Sequence, residues 1–185
     1  MEKNTKVVVG IAFFLIIILL FFMYISITKN NEQEFVNVSI GFIEPRGNGS
    51  LAIIEFADFQ CPVCGEQEPI LKQVLDNFGD KIKLYYRNFP LPMHENSFEA
   101  ALAGMCANEQ EKFWEYHDLL FENQIALDKT SLRRYAQQLD LNLEQFNSCF
   151  DEEKYKKEIK NDVKEGKQAG VKGTPTFFVN DKKIE

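Results

Sequence analysis

An α/β domain with a helical subdomain inserted between its β-containing halves, preceded by one N-terminal transmembrane helix, is the fold class this sequence predicts. Three observations predict it. Val7 to Ile27 is a run of 21 residues without a charge, built almost wholly of Val, Ile, Leu and Phe. The apolar run Leu51-Ala52-Ile53-Ile54-Glu55-Phe56-Ala57 leads into Cys61-Pro62-Val63-Cys64 and a helix-patterned segment, and a second β-rich run, Thr176-Phe177-Phe178-Val179, returns near the end. Between the two, from Asn96 to about Ala169, apolar residues recur with the period of helices.

Taken in chain order, residues 1–6 precede the apolar run and carry Lys3 and Lys6. A helix over 7–27 is long enough to cross a hydrocarbon core of about 30 Å. The run reads as an uncleaved anchor: a signal peptide has a shorter apolar core, and Tyr24-Ile25-Ser26-Ile27-Thr28 offers no small-residue cleavage pattern. The basic residues before the span place the N-terminus in the cytoplasm. The expectation is a single-pass plasma-membrane protein that touches lipid through 7–27, with a polar linker over 28–35 and one domain over 36–185 on the extracytoplasmic side, where disulfides persist. The formal net charge of −7, without a basic patch, speaks against nucleic acid as a partner.

Within the domain, Val36, Val38 and Ile40 alternate with polar residues, as in a half-buried strand. Pro45 to Ser50 marks a turn before the central strand Leu51–Ala57. A helix runs from Cys61 to about Phe78, with Ile70, Leu71, Val74, Leu75 and Phe78 on one apolar face, Pro69 kinking it and Gly79 ending it. Ile82, Leu84 and Tyr86 alternate in the next strand, and Pro90 and Pro92 then break regular structure. The helical insertion spans about 94–169. Phe98, Ala101, Leu102 and Met105 form one stripe, Phe113, Leu120 and Phe121 another, and Leu132, Tyr135, Ala136 and Leu139 a third. Asn142, with Gln145 three residues on, opens a further short helix. After the strand ending at Val179, Asn180-Asp181 turns the chain into Lys182-Lys183-Ile184, and it stops at Glu185.

The chemistry-bearing feature is Cys61-Pro62-Val63-Cys64. A strand delivers Cys61 to a helix N-terminus, where unpaired N–H groups and the positive end of the helix dipole favour a thiolate. That makes Cys61 the nucleophile, facing solvent, while Cys64, one turn later, can close a disulfide with it. Zinc shares the spacing but needs four ligands, and the two further cysteines and two histidines are scattered, so no metal site is expected. With no dinucleotide or phosphate fingerprint in the chain, no cofactor is expected either.

Glu55-Phe56-Ala57-Asp58-Phe59-Gln60-Cys61-Pro62-Val63-Cys64, Arg87-Asn88-Phe89-Pro90-Leu91, Cys106-Ala107, Lys112-Phe113-Trp114-Glu115-Tyr116-His117-Asp118 and Gly173-Thr174-Pro175-Thr176-Phe177 together resemble the DsbA family of disulfide oxidoreductases, within the thioredoxin-like fold. The resemblance covers about residues 36–185. It implies a thioredoxin-like fold with a helical insertion, and a final helix packed on the sheet; that helix is missing here, so the sequence reads as a fragment, the alternative being a domain closed by something else. It implies that Glu55 passes protons to and from Cys64, whereas the residues alone also allow a strand-edge glutamate reaching solvent. It implies a cis-proline pair at Thr174-Pro175 beside the cysteines, and a mostly apolar substrate groove lined with Phe59, Gln60, Pro62 and Val63.

Cys106 and Cys149 lie in the helical block outside any metal-like spacing. In an extracytoplasmic domain they are expected to pair, the alternative being two small buried hydrophobes. His117, four residues from Phe113 in an aromatic segment, reads as a packing or hydrogen-bonding residue, and His94 as a loop residue that could border the cysteines. The expected function is a membrane-anchored extracytoplasmic thiol–disulfide oxidoreductase that donates disulfides to unfolded or reduced exported polypeptides and is reoxidised by a membrane redox partner. The alternatives are a reductase or isomerase of the same fold, or a module holding a soft metal ion on the Cys61/Cys64 dithiolate.

Overall fold

The computed structural model describes residues 16–24 and 38–184. The chain divides into two units, Met1–Glu34 and Phe35–Glu185. In the first, residues 16–24 are helical. Among the described residues no helix is long and apolar enough to cross a membrane. The rest of the 7–27 span and the 28–35 linker lie outside the described residues.

The second unit is built on four strands, β1 (Leu51–Ala57), β2 (Ile82–Asn88), β3 (Thr176–Val179) and β4 (Lys182–Ile184), in the spatial order β2-β1-β3-β4. β1 and β2 are parallel, so a crossover must join them, and helix α1 (Pro62–Phe78) supplies it. β3 runs antiparallel to β1 and pairs with β4 through the turn at Asn180 and Asp181, both with positive φ. Between β2 and β3 come α2 (Ser97–Asn108), α3 (Phe113–Glu122), α4 (Lys129–Gln138), α5 (Leu143–Asp151) and α6 (Lys156–Gln168). Side-chain caps set two of these boundaries: Asp128 accepts from Thr130 N and Ser131 N at the start of α4, and Asn142 accepts from Gln145 N at the start of α5.

Period-two alternation along β1 sends its side chains into two cores. Ile54 and Phe56 join Val38, Phe89, Val171 and Phe178 on one face of the sheet. Ala57, with Tyr86 from β2, joins the larger core made with α2–α5, which contains Cys61 and Cys64. Helix α6 closes the smaller core, and Gly166 is what lets it approach: a Cβ there would lie 2.8 Å from the Phe89 ring and 2.9 Å from the Phe56 ring. Gly47, at φ +88°, turns the chain so that Arg46 can bridge to Leu84.

Two sequence expectations need correction. Among the described residues no strand precedes Leu51; Val38 is buried but Ile40 is 49% exposed, and the pairing of this segment with the sheet is the single Arg46–Leu84 bridge. The apolar stripe of α1 is not buried either, since Cys64 is the helix's one buried residue and Ile70 and Phe78 are 53% and 48% exposed. Periodicity marks which face is apolar, but not whether another element covers it.

Candidate functional site

Cys61 is the N-cap of α1, with extended backbone (φ −73°, ψ 120°), and Pro62 takes the first helical position, where its missing N–H costs nothing. The Cys61 thiol donates to the carbonyl oxygen of Thr174 at 3.4 Å, which brings the strand-start loop of β3 onto the cysteine. The Thr174–Pro175 peptide bond is cis. Cys61 is 5% exposed and Cys64 fully buried, so neither thiol faces solvent broadly, and Cys61 is the more accessible of the two. Burial pushes the Cys64 thiol far up.

The turn that presents Cys61 is held by Asp58 and Gln124, which sequence reasoning did not select, and by His94, the loop residue read as one that could border the cysteines. The buried Asp58 carboxylate accepts from Gln60 N at 2.8 Å and Leu91 N at 2.8 Å, and pairs with His94 Nδ1 at 2.7 Å; the Asp58 carbonyl accepts from Cys61 N at 3.0 Å. From the helical block, Gln124 donates through Nε2 to both Phe59 O (2.9 Å) and Cys61 O (2.8 Å). Gly65 makes room for that amide, because a Cβ there would sit 2.1 Å from Gln124 Oε1. An aspartate that opens a turn, its side chain accepting from the N–H two residues on, is a readable signal for Asp58. Gln124 lies 63 residues from Cys61 and gave none.

The expected groove residues divide. Pro62 and Val63 are exposed beside Cys61, Thr174 and Pro175 are half-buried, and Gln60 is half-buried with its Oε1 accepting from Asn96 N at 2.7 Å. Phe59 is not a groove residue: it is 1% exposed and stacks on Tyr86 with ring centroids 5.0 Å apart, because the Asp58-centred turn directs it into the larger core. Cys106 and Cys149 are bonded to each other, joining α2 to α5.

Glu55 lies on the central strand and is fully buried, which removes the strand-edge reading. Neither of its carboxyl oxygens has a hydrogen-bond partner. Burial above all, and then the Glu68 charge, raise its carboxyl well above the usual carboxylate range. The folded state holds this proton more tightly than the unfolded chain, so the stability this group contributes is fully present below about pH 4.5, the ordinary glutamate value, and is lost as pH rises through the elevated folded value. A Glu55→Gln variant is expected to lose that decline and to gain on the wild type progressively above about pH 4.5. Urea unfolding of both proteins at acidic, neutral and basic pH measures it, and a stability difference that did not change with pH would refute the assignment.

In the same core His117 is 1% exposed inside a cage of five rings, Phe59, Tyr86, Phe113, Trp114 and Phe121. Its Nδ1 lies 2.9 Å from Asp118 Oδ1, and its Nε2 3.6 Å from Glu68 Oε1. One donor atom each of Glu68, His117 and Asp118 fall within 4.8 Å of one another, but both Asp118 oxygens accept from Arg46, at 3.0 and 2.9 Å. A cleft of about 240 Å³ opens beside this cluster, lined by Arg46, Gly65, Glu68, Lys72, Asp118 and Glu122 among others.

A thioredoxin family model matches residues 47–185 of the chain. Among curated proteins, the Na(+)/H(+) antiporter NhaA 3 of Salinispora tropica is 38% identical over 134 residues, covering 72% of this chain and 20% of the antiporter. The chain thus spans about a fifth of the length of the curated relatives it matches. Among solved structures, oxidised BdbD from Bacillus subtilis superposes with a TM-score of 0.74 at 24% identity, over 84% of this chain and 90% of BdbD. The thiol-disulfide exchange protein α-DsbA2 from Wolbachia pipientis gives 0.68 at 22% identity, over 77% and 78%. At these identities the two structures establish a shared fold.

Proposed function

This chain belongs to the thioredoxin family, and we propose that it is an extracytoplasmic thiol–disulfide oxidoreductase that donates disulfides to exported proteins from a Cys61–Cys64 disulfide. The observation that carries the reading is the division of labour between the two thiols: Cys61 at the helix N-terminus against Thr174 O, Cys64 buried among Asp58, Thr174 and the Glu55 side. The fold it shares with BdbD and α-DsbA2 supports it.

In the donating direction a substrate thiolate attacks Cys61 Sγ. The Cys61–Cys64 bond breaks, and its electron pair leaves on Cys64. A buried sulfur with so raised a thiol must leave with a proton, and Glu55, whose carboxyl is held protonated by burial, supplies it. The substrate's second thiolate then attacks its own sulfur in the mixed disulfide and expels Cys61, which sits where the helix dipole favours negative charge. The substrate loses two electrons and the Cys61/Cys64 pair gains them. A membrane redox partner that reoxidises the pair completes the cycle, and the charge-free 7–27 segment, with Lys3 and Lys6 before it, supports an anchor with a cytoplasmic N-terminus. Pro62, Val63, Thr174 and Pro175 are the surface on which an extended, unfolded substrate would lie.

Disulfide transfer to a reduced, unfolded substrate tests the function, with Cys61→Ser and Cys64→Ser as controls. Turnover is expected in the wild type and is expected to be lost in both variants, neither of which can form the Cys61–Cys64 disulfide. In the reduced protein an alkylating reagent is expected to label Cys61 before Cys64. Faster labelling of Cys64, or turnover by Cys61→Ser, would overturn the assigned roles. The reduction potential reads direction, with values near about −120 mV marking a donor and about −270 mV a reductant.

A further inference from the structure

If Glu55 gives a proton to Cys64, it must recover one, and it has no contact with solvent. Its neighbours show where from. Glu55 and Tyr86 are register partners in the parallel β1–β2 pair, so their side chains leave the same face of the sheet. The Tyr86 ring meets the His117 ring edge-on at 5.2 Å, and His117 Nε2 faces Glu68 Oε1 at 3.6 Å. Both Glu55 oxygens, Tyr86 Oη, Glu68 Oε1 and His117 Nε2 are buried without hydrogen-bond partners. Buried polar atoms seldom go unpaired, and buried water is a usual partner of those that the protein leaves unsatisfied.

The tautomer of His117 follows from its other side. Asp118 takes two hydrogen bonds from Arg46, so it is a carboxylate that can only accept, and His117 Nδ1 must carry the hydrogen between them. Burial pushes Asp118 up, but its bonds to His117 and Arg46 hold it down at about 2. The Nε2 atom of a neutral ring would then aim a lone pair at Glu68 Oε1. Two acceptors facing each other at 3.6 Å in a buried site are unfavourable, and one proton, on Glu68 or on the ring, relieves them. The cleft beside Glu68 joins this pair to solvent.

We propose that Glu68 and His117 share one proton and act as the relay through which Glu55 exchanges protons with water in the Arg46–Asp118 cleft. The proposal rests on the oxidoreductase reading and deepens it. In the donating half-reaction Cys64 takes the Glu55 proton as its sulfur leaves. The Glu55 carboxylate takes the proton held by the Glu68–His117 pair through water beside Tyr86 Oη, and cleft water reloads the pair. One proton enters from solvent per disulfide opened, and no electrons pass through the relay. Burial raises the Glu68 carboxyl, with the His117 ring acting against it. The other charged or titratable groups that face the pair are Asp118 and Glu122 of α3, Arg46 before β1, Lys72 and Cys64 of α1, Glu55 of β1 and Tyr86 of β2.

Single-turnover reduction of the oxidised protein by a small dithiol, followed by Cys64 release across pH 4 to 9 (roughly the range that brackets carboxyl and imidazole titration), tests it in wild type, Glu68→Gln, His117→Gln and Glu55→Gln. Glu68→Gln keeps the shape and removes the proton carrier. It is expected to slow proton-coupled release about tenfold, to move its pH profile, to enlarge the solvent isotope effect, and to be rescued by added acetate entering the cleft. Its melting temperature and Cys61 alkylation rate are expected to stay near wild type. His117→Gln, if it folds, is expected to behave alike; if it does not, Glu68→Gln decides alone. A Glu68→Gln profile identical to wild type, beside an altered Glu55→Gln profile, would overturn the relay and leave the oxidoreductase reading standing. A wild type that opens no disulfide at all would take both down.

Discussion

Asp162→Ala is expected to destabilise the domain by about 3–5 kcal/mol, the usual cost of stranding one partner of a buried ion pair. Its partner Arg87 is 2% exposed and the largest fully buried side chain among the described residues. Arg87 reaches Asp162 Oδ1 from Nε at 3.0 Å and Nη2 at 2.8 Å, Glu165 Oε2 at 2.7 Å and the Ser39 carbonyl, and its guanidinium lies over the Phe56 ring. The other Asp162 oxygen accepts from Asn88 N at 3.1 Å and its side-chain amide at 3.4 Å. Burial raises the Asp162 carboxyl even with Arg87 against it, so desolvation outweighs attraction at this site. The pair therefore adds little net stability, but breaking it leaves a buried guanidinium half-satisfied. Urea midpoints should show the loss. An Arg87→Met/Asp162→Leu double variant is expected to recover much of it, and a single variant that lost under about 1 kcal/mol would mean that water reaches Arg87. Because Asn88 leads into the loop whose Leu91 N bonds Asp58, the same break should loosen the turn before Cys61.

What was legible in the sequence is what local chemistry decides. The β1 run, the cysteine pair at a helix start, the cap at Asn142 and the stripes of α2–α4 are each set by residues within one or two turns of one another. The opposite holds for what was missed. The Asp58–His94 pair, the Gln124 clamp and the Arg46–Asp118–His117–Glu68 chain join residues far apart in sequence, and no periodicity encodes which of them meet. Phe59 was misplaced for a related reason: it adjoins the redox motif, but the turn that Asp58 organises sends it inward. Position within a motif fixes proximity in the chain, and burial is decided by the partner across the core.

The second large effect is expected at the Cys106–Cys149 bridge. Its two cysteines are 43 residues apart, and on the chain-entropy model opening a loop of that size frees the unfolded chain by about 4 kcal/mol. That is a large share of the 5–15 kcal/mol a domain typically holds. A Cys106→Ala/Cys149→Ala double variant, which leaves no stray thiol, should show it as a lowered urea midpoint with the remaining two cysteines unchanged. Both sulfurs are buried, on residues 0% and 3% exposed, so a dithiol reductant is expected to open a Cys61–Cys64 disulfide first and to reach this bridge only as the domain unfolds. The bridge also bears on the redox site. α3 and the Gln124 turn lie in the loop it closes, between α2 and α5, and that loop carries the groups that hold Cys61 O and face Glu68. Loosening it should slow disulfide transfer before the domain as a whole unfolds. A loss under about 1 kcal/mol would mean that packing such as the Tyr116–Phe146 contact already holds the helical block, and that the covalent link adds little to it.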